Sequence, residues 1–261
     1  PIDLIIEAFG DHEIVRSAYE KAQIKFNRIL IDLVAELSLL RAPVSQNKKL
    51  LKSAIGLRMQ DAVYPFYPTF VTPMAAVAGA VADYMLSILC ENNKLRKAYV
   101  NNGGDIAIYL EDNEVFNIGI ITDQKTRAIG GTIAITQIDN INGIATSGRH
   151  GRSHSLGIAD AVTVLAKNSA QADAAATLIA NAVDLQDTTL VKKIPANELS
   201  PDSDLADKLV TVDVRKLPRK LAEKAVAQGC DRAVDYINRG LIKAATISLQ
   251  GIVEVVGSRH I

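Results

Sequence analysis

Three short segments hold the residue types that could do chemistry. The first is Val100-Asn101-Asn102-Gly103-Gly104-Asp105-Ile106, where a strand-like run meets two glycines and an acid. Paired glycines let backbone amides turn inward as an anion-binding nest, and they equally make an ordinary hairpin turn. The second segment, 145–155, gathers Thr146, Ser147, Gly148, Arg149 and Arg152 with two of the chain's four histidines, His150 and His154. Hydroxyls, backbone amides and guanidinium groups are what phosphate recognition needs. That density of histidine weighs against a plain solvated loop. His150 and His154 could also share a transition metal, although no cysteine or carboxylate nearby in sequence completes a zinc set. His154 is the candidate acid/base, and Asp160, at the head of the next expected strand, joins it as a candidate catalytic residue.

The third segment is Ala172-Asp173-Ala174-Ala175-Ala176-Thr177. Asp173 and Thr177 stand four apart on an expected helix, so both side-chain oxygens lie on one face. A carboxylate and a hydroxyl one turn apart suit a hard cation such as Mg²⁺. The plain reading is an acid facing a helix dipole and a threonine bonded to its own backbone.

The elements that must position these segments follow from periodicity and punctuation. Residues 3–8 read as a short strand broken at Gly10. Asp11 then caps a helix reaching about Leu40, with Ile24, Ile31, Val34 and Leu37 as a core-covering stripe. A second helix is expected over 49–63, ended by the turn from Pro65 to Pro68. Thr72 followed by Pro73 marks a helix start, with a capping hydroxyl and then proline at the first helical position. The helix that follows, 74–89, is crowded with alanine and glycine, so a neighbouring helix, a sheet or a ligand approaches it closely.

From Lys97 to Thr146 the period falls to two between Gly, Asn and Asp turns, the pattern of an antiparallel meander. Residues 160–167 read as a buried strand, and Asn168 or Ser169 caps a helix over 170–183. A helix near 219–237 is expected to break at Gly229, and 244–256 reads as one final strand. Residues 199–207 read as a surface loop. Strands and helices without steady βαβ alternation give an α+β class, a mostly antiparallel sheet flanked by helices. The expectation is a single unit over 1–261 with its motif core at about 72–183.

Composition narrows the function classes. The 261 residues, 48% hydrophobic and 22% charged, fit a globular chain able to bury a large core. Twenty-nine basic residues balance 29 acidic ones, which leaves no field to attract nucleic acid. Two cysteines, Cys90 and Cys230, make no disulfide scaffold, and they suit a reducing cytoplasm as inert thiols. The apolar run 74–89 is interrupted by Asp83 and is short for a bilayer, so no membrane is expected. A homo-oligomer stays open. From Pro1 onward no signal peptide or lipidation cysteine is found.

Taken together, the segments resemble the flavin-transferase superfamily, the ApbE-like FAD:protein FMN transferases formerly described as thiamine-biosynthesis lipoproteins. Those proteins carry G-A-x-A-K-G-x-A-x-D on a helix, then N-x-G-G-D, T-S-G and A-D-A-x-A-T. Here Ala75, Gly79 and Asp83 match the first, Asn101 to Asp105 the second, Thr146-Ser147-Gly148 the third and Ala172 to Thr177 the fourth. Four motifs in order make a specific match, although no single one does. Pro73 to Ala80 and Gly151 to Val162 are similar to an uncharacterised soluble branch that lacks the lipoprotein leader.

The resemblance implies a cleft that holds FAD or a related phosphorylated cofactor. It also implies Mg²⁺ on Asp173, Thr177 and a main-chain carbonyl near Ala75, assisting FMN transfer or phosphoryl-type cleavage. Cofactor contacts would fall on Asn102, Gly103, Gly104, Asp105, Thr146, Ser147, Gly148, Arg149 and Arg152. The family's lysine falls at Ala78, and its H-x-x-D-P-x-T-G loop is replaced by the short bridge 154–159. Those departures imply two alternatives in the same cleft: a cofactor-binding module without turnover, or an enzyme of another cofactor's biosynthesis.

Overall fold

A computed structural model of the chain describes residues 2–123, 128–186 and 189–257. Its contacts divide into two units. The first comprises 1–117, 134–145 and 165–174, and the second 118–133, 146–164 and 175–261. The class is α+β, as the sequence implies.

The first unit opens with β1 (Ile5–Gly10) and α1 (His12–Ala35). Asp11 caps α1 as expected, its carboxylate accepting from the N–H groups of Glu13 and Ile14 at 3.0 and 3.4 Å. A short α2 (Leu37–Leu40) follows, then α3 (Ala54–Val63), capped by Ser53 and shorter than the expected 49–63. The face of α1 that is buried is not the one expected. Ala18, Ala22, Ile29 and Leu33 are buried, while Ile24, Ile31 and Val34 are 69%, 62% and 58% exposed. Two alanines in the buried stripe let the helix sit close to its neighbours, and close packing outweighs the larger apolar residues opposite.

A 3₁₀ turn, Pro73–Ala76, leads into α4 (Val77–Cys90). Thr72 precedes the proline as predicted, yet its hydroxyl does not cap the helix. The run Pro73–Cys90 has 18 residues and a mean hydropathy of 1.6, long and apolar enough by composition alone to cross a bilayer. In the fold it packs as a core helix against α1, α3 and the first strands, with Gly79, Ala80, Val81, Ala82, Met85 and Leu89 buried.

β2 (Leu95–Asn102) and β3 (Asp105–Leu110) form an antiparallel hairpin in which Asn102 pairs with Asp105. β4 (Val115–Asp123) and β5 (Ala128–Thr136) pair with each other rather than extending this sheet as a continuous meander. β6 (Gly143–Ser147) returns to β3 with Ile106 opposite Ile144, so the first unit's strand order is β1-β2-β3-β6. β7 (Ala161–Ala166) and α5 (Ser169–Ala182) run from one unit into the other.

In the second unit, β8 (Val191–Pro195), the short α6 (Ala196–Leu199) and β9 (Leu209–Val214) form a hairpin arm, and 200–207 is turn-rich as expected. α7 (Arg219–Asn238) is continuous through Gly229, contrary to the expected break. A Cβ at Gly229 would lie 2.5 Å from the Val183 side chain, so this glycine serves close packing. The expected single final strand is a hairpin, β10 (Ala244–Leu249) and β11 (Ile252–Gly257), turning at Gln250 and Gly251, both at positive φ. α7 packs on this hairpin, and the strand order is β7-β10-β11.

Candidate functional site

The first unit brings the Asn101 to Asp105 segment and the start of the third segment, Ala172 to Ala174, together around the start of α4. Gly103 (φ 70°) and Gly104 (φ 114°) are the two-residue turn of the β2–β3 hairpin, a backbone that needs glycine. Asn101 braces the turn by accepting from the Gly104 N–H at 2.8 Å. Asn102, buried, donates its side-chain amide to the Ala78 carbonyl at 3.1 Å and so ties the hairpin to α4. Asp105 begins β3 beside it.

α4 has no side-chain cap of its own, since Ala76 occupies the cap position. Asp173 of α5 supplies it. Its carboxylate accepts from the Gly79 N–H at 3.0 Å and also from the Ala78 N–H. The return contact is of the same kind. Asp83 of α4 accepts from the first amides of α5, Ser169 N–H at 2.9 Å and Ala170 N–H at 2.8 Å. Asn168 completes that helix start by accepting from Gln171 N–H, which meets the expectation of a cap at Asn168 or Ser169. Two helix N-termini, each the positive end of a dipole, are held against one another by two exchanged carboxylates.

Gly79 explains how they come so close. A Cβ there would stand 2.3 Å from the Ser169 carbonyl oxygen and 2.7 Å from the Ala170 nitrogen. What approaches the small-residue helix is therefore the start of α5.

This arrangement crowds acidic groups, with Asp105 and Asp83 both acting on Asp173. Burial and the neighbouring Asp105 carboxylate push the Asp173 acid well above the ordinary carboxylate range, against the pull of its two amide donors. Burial likewise raises Asp83, to about 6. A carboxylate has about four lone-pair positions, so two amides leave Asp173 room for a further partner. Thr177 follows one turn later on α5, and both are half-buried while 174–176 are fully buried. A carboxylate whose proton affinity burial and a neighbouring carboxylate raise, with a hydroxyl one turn along the same helix, offers oxygens of the kind a hard divalent cation takes. Among the described residues no cluster of three or more His, Cys, Asp or Glu side chains is found. Such a cation would therefore need main-chain or water oxygens as well, and Ala75, in the 3₁₀ turn before α4, is where the main chain was expected to contribute.

A second feature of this unit was not foreseen. An open cleft of ≈ 1040 Å³ lies between α3, the later half of α4, β3 and the start of α5, with Arg58, Asp83, Tyr109, Asn142, Lys167 and Gln171 among its walls. Apart from Asp83, no motif marks these positions; they come from five separate stretches of chain. Cys90 borders the cleft, and burial pushes its thiol up to about 11, which suits the inert role expected of it.

The Thr146–His154 segment behaves differently in the second unit. Arg149 donates through Nε and Nη2 to one Asp160 oxygen at 3.0 and 2.7 Å, and the other oxygen accepts from the Gln250 N–H. His150 Nε2 stands 3.6 Å from the same carboxylate. Asp160 and Arg149 are thus committed to each other, and Asp160 is positioned as a structural anchor of the β10–β11 turn. A Cβ on Gly148 would meet the Asp160 carbonyl oxygen at 2.5 Å, so this glycine too serves close packing. Thr146 bonds Thr163 through their hydroxyls at 2.9 Å, and Ser147 is half-buried beside it. His154 Nε2 pairs with the Ser200 hydroxyl at 3.0 Å, whereas Arg152 is exposed. The two histidines face different partners, His150 the Asp160 carboxylate and His154 the Ser200 hydroxyl. A small cleft of ≈ 430 Å³ is lined by Arg149, His150, Asp160 and Thr211 to Val214.

Comparison with known proteins agrees with the motif order. A family model described as AbpE bacteria matches residues 1–255. The chain is similar to the UPF0280 protein MJ1526 of Methanocaldococcus jannaschii, 42% identical over 113 residues that cover 43% of this chain and 45% of that protein. It is also similar to a UPF0280 protein of Methanococcus vannielii, 40% identical over 112 residues, 42% of this chain and 45% of that one. The matched stretch spans less than half the length of these relatives. Among solved structures, the ApbE protein of Thermotoga maritima is 14% identical, with 95% of this chain and 77% of that one aligned at a TM-score of 0.43. A variant of flavin transferase ApbE from Vibrio cholerae is 13% identical, with 98% and 94% aligned at 0.46. Membership rests on the family model, which matches nearly the whole chain. The chain belongs to the AbpE bacteria family.

Proposed function

We propose, with that membership as the premise, that the chain binds a phosphorylated cofactor or nucleotide, FAD being the first ligand to test. A Mg²⁺ on Asp173 and Thr177 would assist phosphoryl- or FMN-type transfer or cleavage. The observation that carries this reading is the Asp173 carboxylate at the first turn of α4, held by the Ala78 and Gly79 amides and raised by burial and by the Asp105 carboxylate. When bound, the metal would neutralise charge developing on a pyrophosphate. The chain's own part is to orient Asp173 through the Ala78 and Gly79 amides and to hold the adjacent hairpin with Asn102. Within the second unit, Thr146, Ser147, Gly148 and Arg152 keep their reading as phosphate contacts, while Arg149 serves Asp160. A cytoplasmic setting accords with two free thiols, both raised by burial.

The test is calorimetric and thermal-shift titration with FAD, FMN, ADP and ATP, each with and without Mg²⁺, since a ligand of the native state raises Tm by mass action. Mg²⁺-dependent binding that Asp173→Asn removes supports the reading. Binding that persists unchanged in that variant sinks it.

A second reading, a cofactor-binding module without turnover, is favoured by Ala78. It stands where the family's lysine would be, and its N–H and carbonyl are used by Asp173 and Asn102. Steady conversion of a bound ligand would reject this version.

A further inference from the structure

We infer that Asp83 is a positioning residue for the cation site, setting the place of the Asp173 carboxylate through a reciprocal cap between α4 and α5. This rests on the proposed Mg²⁺ site and goes beyond it. The Asp173 carboxylate reaches the start of α4 only because the start of α5 is pinned against Gly79. Three contacts pin it. Asp83 takes the Ser169 and Ala170 amides, Asp173 takes the Ala78 and Gly79 amides, and the bare Cα of Gly79 admits the Ser169 carbonyl.

The two carboxylates lie on opposite helices, so each is oriented by the helix start that the other helps to place. Asp83 stands four residues along α4 from Gly79, about one turn away, and therefore fixes α5 at a second point. Two points of attachment define the angle of α5 and hence where the face bearing Asp173 and Thr177 looks. Asn168 caps the same helix start locally, through the Gln171 amide, without tying α5 to α4.

The groups acting on Asp83 are the two amides and the Arg58 guanidinium of α3. The carboxylate therefore holds the helix start, and its charge also acts on Asp173. Partners that orient a first ligand are worth about 10–100-fold in metal affinity. Removing one should be felt at the proposed cation site although Asp83 is not among its proposed ligands.

The experiment is calorimetric titration of the purified chain with Mg²⁺ alone, on the wild type and on Asp83→Asn, Asn168→Ala and Asp173→Asn, well below each Tm. Asp83→Asn should weaken Mg²⁺ by about tenfold or more. Asn168→Ala should lower Tm while leaving Mg²⁺ affinity in place. Equal losses in Asp83→Asn and Asn168→Ala would overturn the inference, because then any loosening of α5 suffices. Unchanged affinity in Asp83→Asn would overturn it as well. Should Asp83→Asn not fold, Asp83→Glu keeps a carboxylate one methylene too long, and a loss of affinity with retained fold is the result required. Unchanged affinity in Asp173→Asn would remove the cation site itself, and the positioning role with it.

Discussion

The α4–α5 contact of the first unit and the Arg149–Asp160 knot of the second are both built on carboxylates that accept backbone amides, yet they handle charge in opposite ways. Asp160 has a guanidinium on one oxygen and the Gln250 amide on the other. Its charge is neutralised within the fold. Asp173 has amides and a second carboxylate, and Asp83 has amides with Arg58 as its cationic neighbour. A divalent cation gains most where like charges already face one another, so the proposed metal belongs with the first contact, while the second serves stability.

The widest test of this contrast is Asp160→Ala. It leaves Arg149 and the Gln250 amide unpaired, with side chains only 17% and 11% exposed in the intact pair. Breaking such a pair should cost about 4 kcal/mol in urea unfolding, while Mg²⁺ affinity stays as in the wild type. Loss of Mg²⁺ binding in this variant, with binding retained in Asp173→Asn, would reverse the assignment of the two regions.

Gly79→Ala comes next. Its Cβ would meet backbone, which cannot swing aside, so about 3 kcal/mol should be lost as α4 and α5 are forced apart. The same variant should weaken Mg²⁺, because the Asp173 carboxylate retreats with α5. A stable Gly79→Ala would mean that the helices slide easily and that the close approach carries little.

The pH dependence of stability is the third test. Asp83 titrates near 6 in the fold against 3.8 when unfolded, so between those values the folded chain holds the extra proton. Stability is then greatest below about pH 4 and falls as pH rises towards 6. Asp173, raised in the same sense, adds to the slope. In metal-free buffer the Asp83 part of this decline should be about 3 kcal/mol, read from urea midpoints at pH 4 to 7. Asp83→Asn should remove that part of the slope. An unaltered slope would place the titration elsewhere.

How much of this was legible in the sequence divides along the same line. Local chemistry was readable: the Asp11 cap, the Asn168 cap, the Gly103-Gly104 turn and the pairing of Asp173 with Thr177 on one face. The contacts that give those residues their roles join positions 86 to 94 apart, and no spacing announces them. Asp83 was matched in its motif but read only as an interruption of an apolar run. On α1, periodicity offered two stripes, and the larger side chains pointed to the wrong one. Alanine counts for little on a hydropathy scale but decides how near a helix can sit. At 244–256 the Gln250-Gly251 turn was hidden because its flanks are apolar throughout. Arg149 read as a phosphate ligand from its type alone, and its partner Asp160 was read separately as a catalytic residue.

The smallest expected effect decides between the two readings of the glycine pair. A Cβ on Gly104 would meet nothing within 4 Å, so Gly104→Ala should lose only the backbone preference at φ 114°, about 1 kcal/mol. Gly79 and Gly104 thus differ in kind, one excluded by contact and the other by conformation alone. The open space over Gly104 also leaves room for a ligand's phosphate to approach the turn. If the turn is a nest, Gly104→Ala should weaken cofactor binding by well over the factor of about 5 that 1 kcal/mol represents. If it is a hairpin turn and no more, cofactor affinity should hold while only the urea midpoint moves. In that case Asp105, placed by the hairpin, would be this segment's contribution to the site.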